Sequence, residues 1–234
     1  MSEELKRQAA IAALEEIRSG MVVGLGTGST AAHFIRELSI RVRKGLKVVA
    51  IPTSEVSRQM AEEGGIPLTT LAAHPHIDVT VDGADEVSPE LDLTKGLGGA
   101  LVREKVVAHA SESVVIIVDE SKLVPKLGSR TVIPVEVVPF AVDFVIQRLS
   151  SWGGEPAVRL KDGRPFISDN GNYVVDWKMQ PIDQPALLEK QIKNVTGVVD
   201  SGLFCNVARL VIVAGSGGVR TMERPQPTES ERFG

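Results

Sequence analysis

Between Met21 and Asp119 the chain alternates short runs that are apolar throughout with segments of helical period, and this alternation restricts the fold more than any other feature. Met21–Leu25, Leu46–Ile51, Ile66–Leu71, Asp78–Asp82 and Ser113–Asp119 read as strands. A helix is predicted over residues 3–18, where Leu5, Ala9, Ala13 and Ile17 share a face. A second starts near Ala31, with Phe34, Ile35 and Leu38 on the same stripe. Another opens at Pro52-Thr-Ser-Glu55 with Ser54 as N-cap, and a fourth covers residues 98–110. Strands without a polar face must be covered on both sides. The pattern therefore predicts an α/β, Rossmann-like fold, a mostly parallel sheet with helices on both faces. Ligands in such sheets bind beyond the carboxyl ends of the strands.

The rhythm changes near Thr131. Strand Thr131–Val137, helix Phe140–Leu149, short strands Ala157–Leu160 and Pro165–Ser168, the turn Asp169-Asn-Gly-Asn172, strand Tyr173–Trp177, helix 185–194 and strand Gly197–Phe204 follow. The order β-α-β-β-α-β fits a small ferredoxin-like α+β unit. The apolar run Ala208–Ala214 is assigned back to the first sheet, which makes the second unit an insertion. The expected division is 1–130 with 206–222 for the Rossmann-like catalytic domain and 131–205 for the inserted one. A chain of 234 residues has room for both. The polar, proline-containing tail 223–234 is expected to be disordered.

Gly24-Leu-Gly26-Thr-Gly28-Ser-Thr30 joins a strand to a helix. Glycines let a ligand approach the backbone, and the unpaired N–H groups of a helix start favour an anion. Thr27, Ser29 and Thr30 add hydroxyls. The same residues also suit a plain tight turn with Ser29 or Thr30 as cap. No Gly-Lys-Ser/Thr ends the loop, so it is not a P-loop. The next strand ends in Ile51-Pro-Thr-Ser rather than in an acid for ribose hydroxyls, so a small phosphorylated ligand fits better than a dinucleotide.

Asp82 and Asp85 follow the strand Asp78–Asp82, and Lys95 precedes Gly96-Leu97-Gly98-Gly99. One aspartate alone reads as a turn residue; two acids near a lysine and a glycine cluster suit proton transfer on a small anion. Glu104 lies among Ala100, Leu101 and Val107, where an isolated glutamate reads first as a solvated or ion-paired group. Lys122, after Asp119-Glu-Ser, is a surface lysine or a second cation for phosphate. His33, His74, His76 and His109 lack metal-ligand spacing, and no metal is inferred.

The residues then resemble a known family. Gly26-Thr-Gly-Ser-Thr30, Val81-Asp-Gly-Ala-Asp-Glu86, Lys95-Gly-Leu-Gly-Gly-Ala100, Arg103-Glu-Lys105 and Asp119-Glu-Ser-Lys122 are similar to type A ribose-5-phosphate isomerases. Pro134-Val-Glu-Val-Val-Pro139, Asp169-Asn-Gly-Asn172 and Gly202-Leu-Phe204 match later segments. The resemblance implies interconversion of D-ribose 5-phosphate and D-ribulose 5-phosphate through an ene-diolate, in the non-oxidative pentose phosphate pathway, without metal or organic cofactor. It implies Glu104 as the base, Asp82 and Asp85 as sugar ligands, and Lys95 as the partner of the ene-diolate. It further implies substrate contacts at Thr27, Gly28, Ser29, Thr30, Gly83, Ala84, Gly96, Gly98, Lys122 and Lys6. Leu97 stands where the family usually has glycine, so only a backbone contact is carried over there. Homodimers or homotetramers are implied.

A net charge of −4 suggests no nucleic-acid groove. The single cysteine, Cys205, excludes an internal disulfide and reads as a buried, inert thiol. Met1-Ser-Glu-Glu-Leu-Lys has no hydrophobic signal core and no run reaches membrane-spanning length, so the expectation is a cytoplasmic enzyme without a membrane partner. Two other readings compete. A phosphosugar-sensing module of a regulator would bind without turnover and needs an attached DNA-binding unit. A nicotinamide dehydrogenase would bind NADH but lacks the ribose-binding acid.

Overall fold

A computed structural model gives the structure of the chain and describes residues 3–224. Helix α1 (Glu3–Ala13) carries Glu3 and Glu4 in its first turn, where they complement the helix dipole. Its Ala9, Ala10 and Ala13 are fully buried, and their small side chains let the helix lie close on the sheet. A single 3₁₀ turn, Leu14–Glu16, ends it short of the predicted residue 18. β1 (Val22–Leu25), α2 (Ser29–Arg43), β2 (Val49–Pro52), α3 (Glu55–Gly64) and β3 (Ile77–Asp82) follow. Ser54 caps α3, its hydroxyl accepting the Ser57 N–H at 3.1 Å. The predicted strand Ile66–Leu71 does not form. Only Leu68 bridges to Ala50, because Pro67 has no N–H to donate and the chain turns at Thr70.

Next come β4 (Glu86–Val87), β5 (Leu93–Thr94), α4 (Leu101–His109) and β6 (Ser111–Asp119). Alternate residues of β6 serve opposite faces. Val115 and Ile117 join the core with α1 and α2, while Val114, Ile116 and Val118 pack with Leu93 and Phe204. This is why the run is apolar throughout.

The inserted region contains β7 (Ile133–Val137), α5 (Val142–Ser150), β8 (Glu155–Val158), the short pair β9 (Leu160–Lys161) and β10 (Arg164–Pro165), β11 (Tyr173–Lys178), α6 (Pro185–Lys193) and β12 (Val198–Ser201). Its four-stranded sheet has the order β12-β7-β11-β8 with every pairing antiparallel, a ferredoxin-like arrangement. The predicted strand Pro165–Ser168 is reduced to Pro165 and a bridge from Ile167 to Tyr173. Trp177 is fully buried at the centre of this core.

The predicted strand Gly197–Phe204 breaks at Gly202. β12 stays in the inserted sheet, while β13 (Leu203–Phe204) joins β5 and β4 in a small three-stranded sheet. A Cβ on Gly202 would stand 2.1 Å from the Lys95 carbonyl oxygen, so only glycine allows the crossing. β14 (Leu210–Gly215) returns to the first sheet, as expected, and β15 (Gly218–Glu223) adds an antiparallel edge. The expected tail thus has its first residue in β15, and its residues from 225 lie outside the described ones.

The six strands of the first sheet run β15-β14-β6-β3-β1-β2. Chain order reverses at β1, which has β2 on one side and β3 on the other, both parallel. The loops leaving β1 and β3 diverge there and open a crevice at their carboxyl ends.

Candidate active site

The loop after β1 is tied to the end of β3. Gly26 N–H donates to Val81 O at 3.0 Å, and Thr27 N–H to Asp82 Oδ1 at 3.0 Å. A Cβ on Gly26 would stand 2.1 Å from that same oxygen, which fixes glycine there. Gly28, with φ of 107°, turns the chain into α2, and no side chain caps the helix. Its first turn, with Gly28, Ser29 and Thr30, lines the crevice, so N–H groups and two hydroxyls remain for an anion. The Thr27 hydroxyl, predicted as a further donor, is engaged elsewhere. It lies 2.7 Å from Thr53 Oγ1 and 2.8 Å from Ser54 Oγ.

Asp82 is buried and both oxygens are occupied. Oδ1 accepts from the Thr27 and Gly83 N–H groups, and Oδ2 pairs with Lys95 Nζ at 2.9 Å. Lys95 uses all three ammonium protons, on Asp82, on Glu104 Oε1 at 3.0 Å and on Gly83 O at 2.6 Å. Burial alone would lower its pKa, but the two carboxylates outweigh burial and hold it above the ordinary lysine value.

Glu104 comes from the first turn of α4 and is only 4% exposed. Burial pushes its carboxyl well above the usual carboxylate range; Lys95 opposes that shift and Asp82 adds to it. Oε1 is held by Lys95, whereas Oε2 is buried with no hydrogen-bond partner. Such an oxygen is costly to maintain. Burial also raises Asp85, against the Leu97 N–H at 3.0 Å and the charges of Lys95 and Lys122.

Thr27, Gly28, Ser29, Thr30, Gly83, Ala84, Asp85, Lys95, Gly96, Gly98, Glu104 and Lys122 line one cleft. Three residues named from the sequence stand outside its wall. Asp82 lies behind it, under Lys95 and the first loop. Leu97 presents its backbone to Asp85 while its side chain is 43% exposed. Lys6, on α1, pairs with Glu3 at 2.6 Å, and Glu3 also reaches His33 at 2.8 Å.

The sequence reading missed what the insertion contributes. Arg159 donates to the carbonyls of Gly96 and Leu97, and Arg103 of α4 binds Asn170 and the Asp169 carbonyl in the predicted turn. No local pattern marks Arg159, because its partners are carbonyls far away in the chain. Burial raises the Cys205 thiol well above its ordinary pKa. Among the described residues no group of three or more His, Cys, Asp or Glu is placed to hold a metal ion, and no helix is long and apolar enough to cross a membrane.

Residues 49–218 match the family described as ribose 5-phosphate isomerase A (phosphoriboisomerase A). The chain is 52% identical over 219 residues to ribose-5-phosphate isomerase A of Gloeobacter violaceus, covering 93% of this chain and 95% of that one. The solved structure of ribose 5-phosphate isomerase A from Methanocaldococcus jannaschii is similar at a TM-score of 0.92 and 46% identity, over 95% of this chain and 100% of that one. A D-ribose-5-phosphate isomerase in complex with phospho-erythronic acid is similar at 0.93 and 40% identity, over 96% and 100%.

Proposed function

The chain belongs to the ribose 5-phosphate isomerase A family, and we propose that its cleft interconverts D-ribose 5-phosphate and D-ribulose 5-phosphate. The observation that carries this reading is the unpartnered Oε2 of Glu104 in a cleft that also contains an uncapped helix start. The phosphate sits against the first turn of α2, with Lys122 as the cation in the cleft wall and Lys6, outside the wall and released from Glu3, as a second, and this anchors the open-chain sugar. Glu104 Oε2 takes the proton from C2. The C2–H electron pair forms the C1–C2 double bond, and the aldehyde oxygen gains the negative charge of the ene-diolate. The positive charge of Lys95, whose protons stay on Asp82, Glu104 and Gly83 O, and backbone N–H groups stabilise that charge. Glu104 returns its proton to C1, and the O2 proton passes to O1, which leaves a carbonyl at C2. A raised carboxyl pKa suits this role, because a stronger base takes a carbon-bound proton more readily near neutral pH. Asp85 binds the sugar hydroxyls. Asp82, behind the wall, holds Lys95 and acts on ring opening through it. The chemistry uses no metal or organic cofactor.

The catalytic unit in this reading is 1–130 with 206–222, and 131–205 is the inserted unit. The protein works in the cytoplasm as a homodimer or homotetramer; fully exposed Phe140 and half-exposed Phe144 on the insertion are surfaces that such assembly would cover. Sedimentation decides the oligomeric state, and a monomer at micromolar concentration would remove that part. The catalytic proposal is tested by supplying ribose 5-phosphate and following ribulose 5-phosphate. No turnover by wild type defeats the function; equal rates for wild type and Glu104→Gln defeat the role of Glu104.

A further inference from the structure

The Lys95–Gly99 loop belongs to the first unit, yet the insertion grips it at three points. Lys95 N–H donates to Gly202 O at 2.8 Å. The Phe166 ring covers Gly99, where a Cβ would stand 2.3 Å from a ring carbon. Arg159, which follows β8, donates from Nη1 to Gly96 O at 3.0 Å and to Leu97 O at 2.9 Å. Its Nε and Nη2 form a two-point pair with Asp176 of β11, at 2.9 and 2.5 Å. The Arg159 side chain is only 12% exposed. Asp176 neutralises the guanidinium locally, so the arginine acts on the loop by direction more than by charge.

Peptide geometry turns this grip into a functional device. A trans peptide points its C=O and N–H in opposite directions. With the Gly96 carbonyl drawn to Arg159, the Leu97 N–H faces the other way, and it donates to Asp85 Oδ2 at 3.0 Å. With the Leu97 carbonyl drawn the same way, the Gly98 N–H also turns from Arg159, and Gly98 lines the cleft. One N–H fixes a carboxylate of the site. The next belongs to Gly98, in the wall of the cleft. Leu97 fits this arrangement, since its backbone is used and its side chain stays outside the wall.

We propose that Arg159, held by Asp176, is a positioning residue for the isomerisation: it sets the direction of the 96–97 and 97–98 peptides, so that the Leu97 N–H holds Asp85 and the Gly98 N–H faces the developing oxyanion. The proposal rests on the isomerase reading of the cleft. Three variants test it. Arg159→Met keeps the aliphatic stem and loses the fork. Arg159→Lys keeps one charged donor. Asp176→Asn keeps the arginine and loosens it. For ribose 5-phosphate, kcat falls about 30- to 100-fold in Arg159→Met and by less in the other two. Affinity for inorganic phosphate, which reads the α2 turn, changes by less than about twofold. An unchanged kcat in Arg159→Met overturns the proposal, as does a loss of phosphate affinity in step with kcat. If Arg159→Met does not fold, Arg159→Lys and Asp176→Asn decide by the same split between kcat and phosphate affinity. Amide hydrogen exchange at Leu97 separates the two readings because it needs no turnover. Wild type inactive on ribose 5-phosphate defeats the isomerase reading. Leu97 exchange that is as slow in Asp176→Asn as in wild type defeats the latch, and faster exchange supports it.

Discussion

Two buried carboxylates lie within 3.0 Å of the Lys95 ammonium, and they are built for different work. Asp82 ends β3, where the chain turns and loop N–H groups are at hand. It accepts two of them as well as the lysine. Glu104 projects from the first turn of α4. It receives the lysine on one oxygen and nothing on the other. Burial and the cation are nearly the same for both, so the hydrogen-bond count makes the difference. In the proposed reaction the saturated carboxylate braces the site, and the half-saturated one takes the substrate proton.

The largest expected effect separates them by rate. Glu104→Gln lowers kcat about 10³-fold, within the range for loss of a general base. Asp82→Asn does the reverse in emphasis. Removing one partner of a buried pair costs about 3 kcal/mol in urea unfolding, with a smaller loss of kcat. If Asp82→Asn proved as stable as wild type, the brace assignment would be wrong.

The pH dependence sharpens the same contrast. Glu104 is raised from an ordinary value of 4.5, so the folded protein binds its proton more tightly than the unfolded chain does. Between the unfolded and folded pKa values the native state therefore holds more protons, and stability falls as pH rises through that window. Glu104→Gln flattens this slope, as unfolding curves at a series of pH values would show. Over the same window wild-type kcat rises with pH as the base ionises.

A smaller effect probes the first loop. Thr27→Val removes a hydroxyl that faces Thr53 and Ser54, so it costs about 1 kcal/mol of stability and changes phosphate affinity little. A large loss of phosphate affinity would return that hydroxyl to the cleft. Leu97→Ala, the mildest change, stays within about 0.5 kcal/mol in stability and leaves the KM for the sugar phosphate nearly unchanged.

Much of the frame was legible in the chain. The apolar runs of β1, β3 and β6, the stripe of α2 and the Ser54 cap are set by neighbours a few residues apart, and they appear within a residue or two of expectation. Ile66–Leu71 misled because its composition suits a strand while Pro67 cannot donate to a ladder. Gly197–Phe204 misled because the reason for its break, the Lys95 carbonyl against Gly202, lies about a hundred residues away. The glycine loop and the acid–lysine cluster are also visible, but Glu104 alone reads as an ordinary ion-paired residue, and only the resemblance to the family singles it out.

The sequence by itself determined the parallel α/β rhythm, the inserted ferredoxin-like unit and the residues that carry charge near the strand ends. These follow from local period, turn chemistry and motif order. Only the tertiary structure decided that Asp82 is saturated and Glu104 is not, that the Thr27 hydroxyl faces inward, and that Arg159 reaches the lysine loop. Each of those depends on which donors and acceptors remain once distant segments close on one another. Hydrogen-bond satisfaction of a buried group is a property of the packed whole.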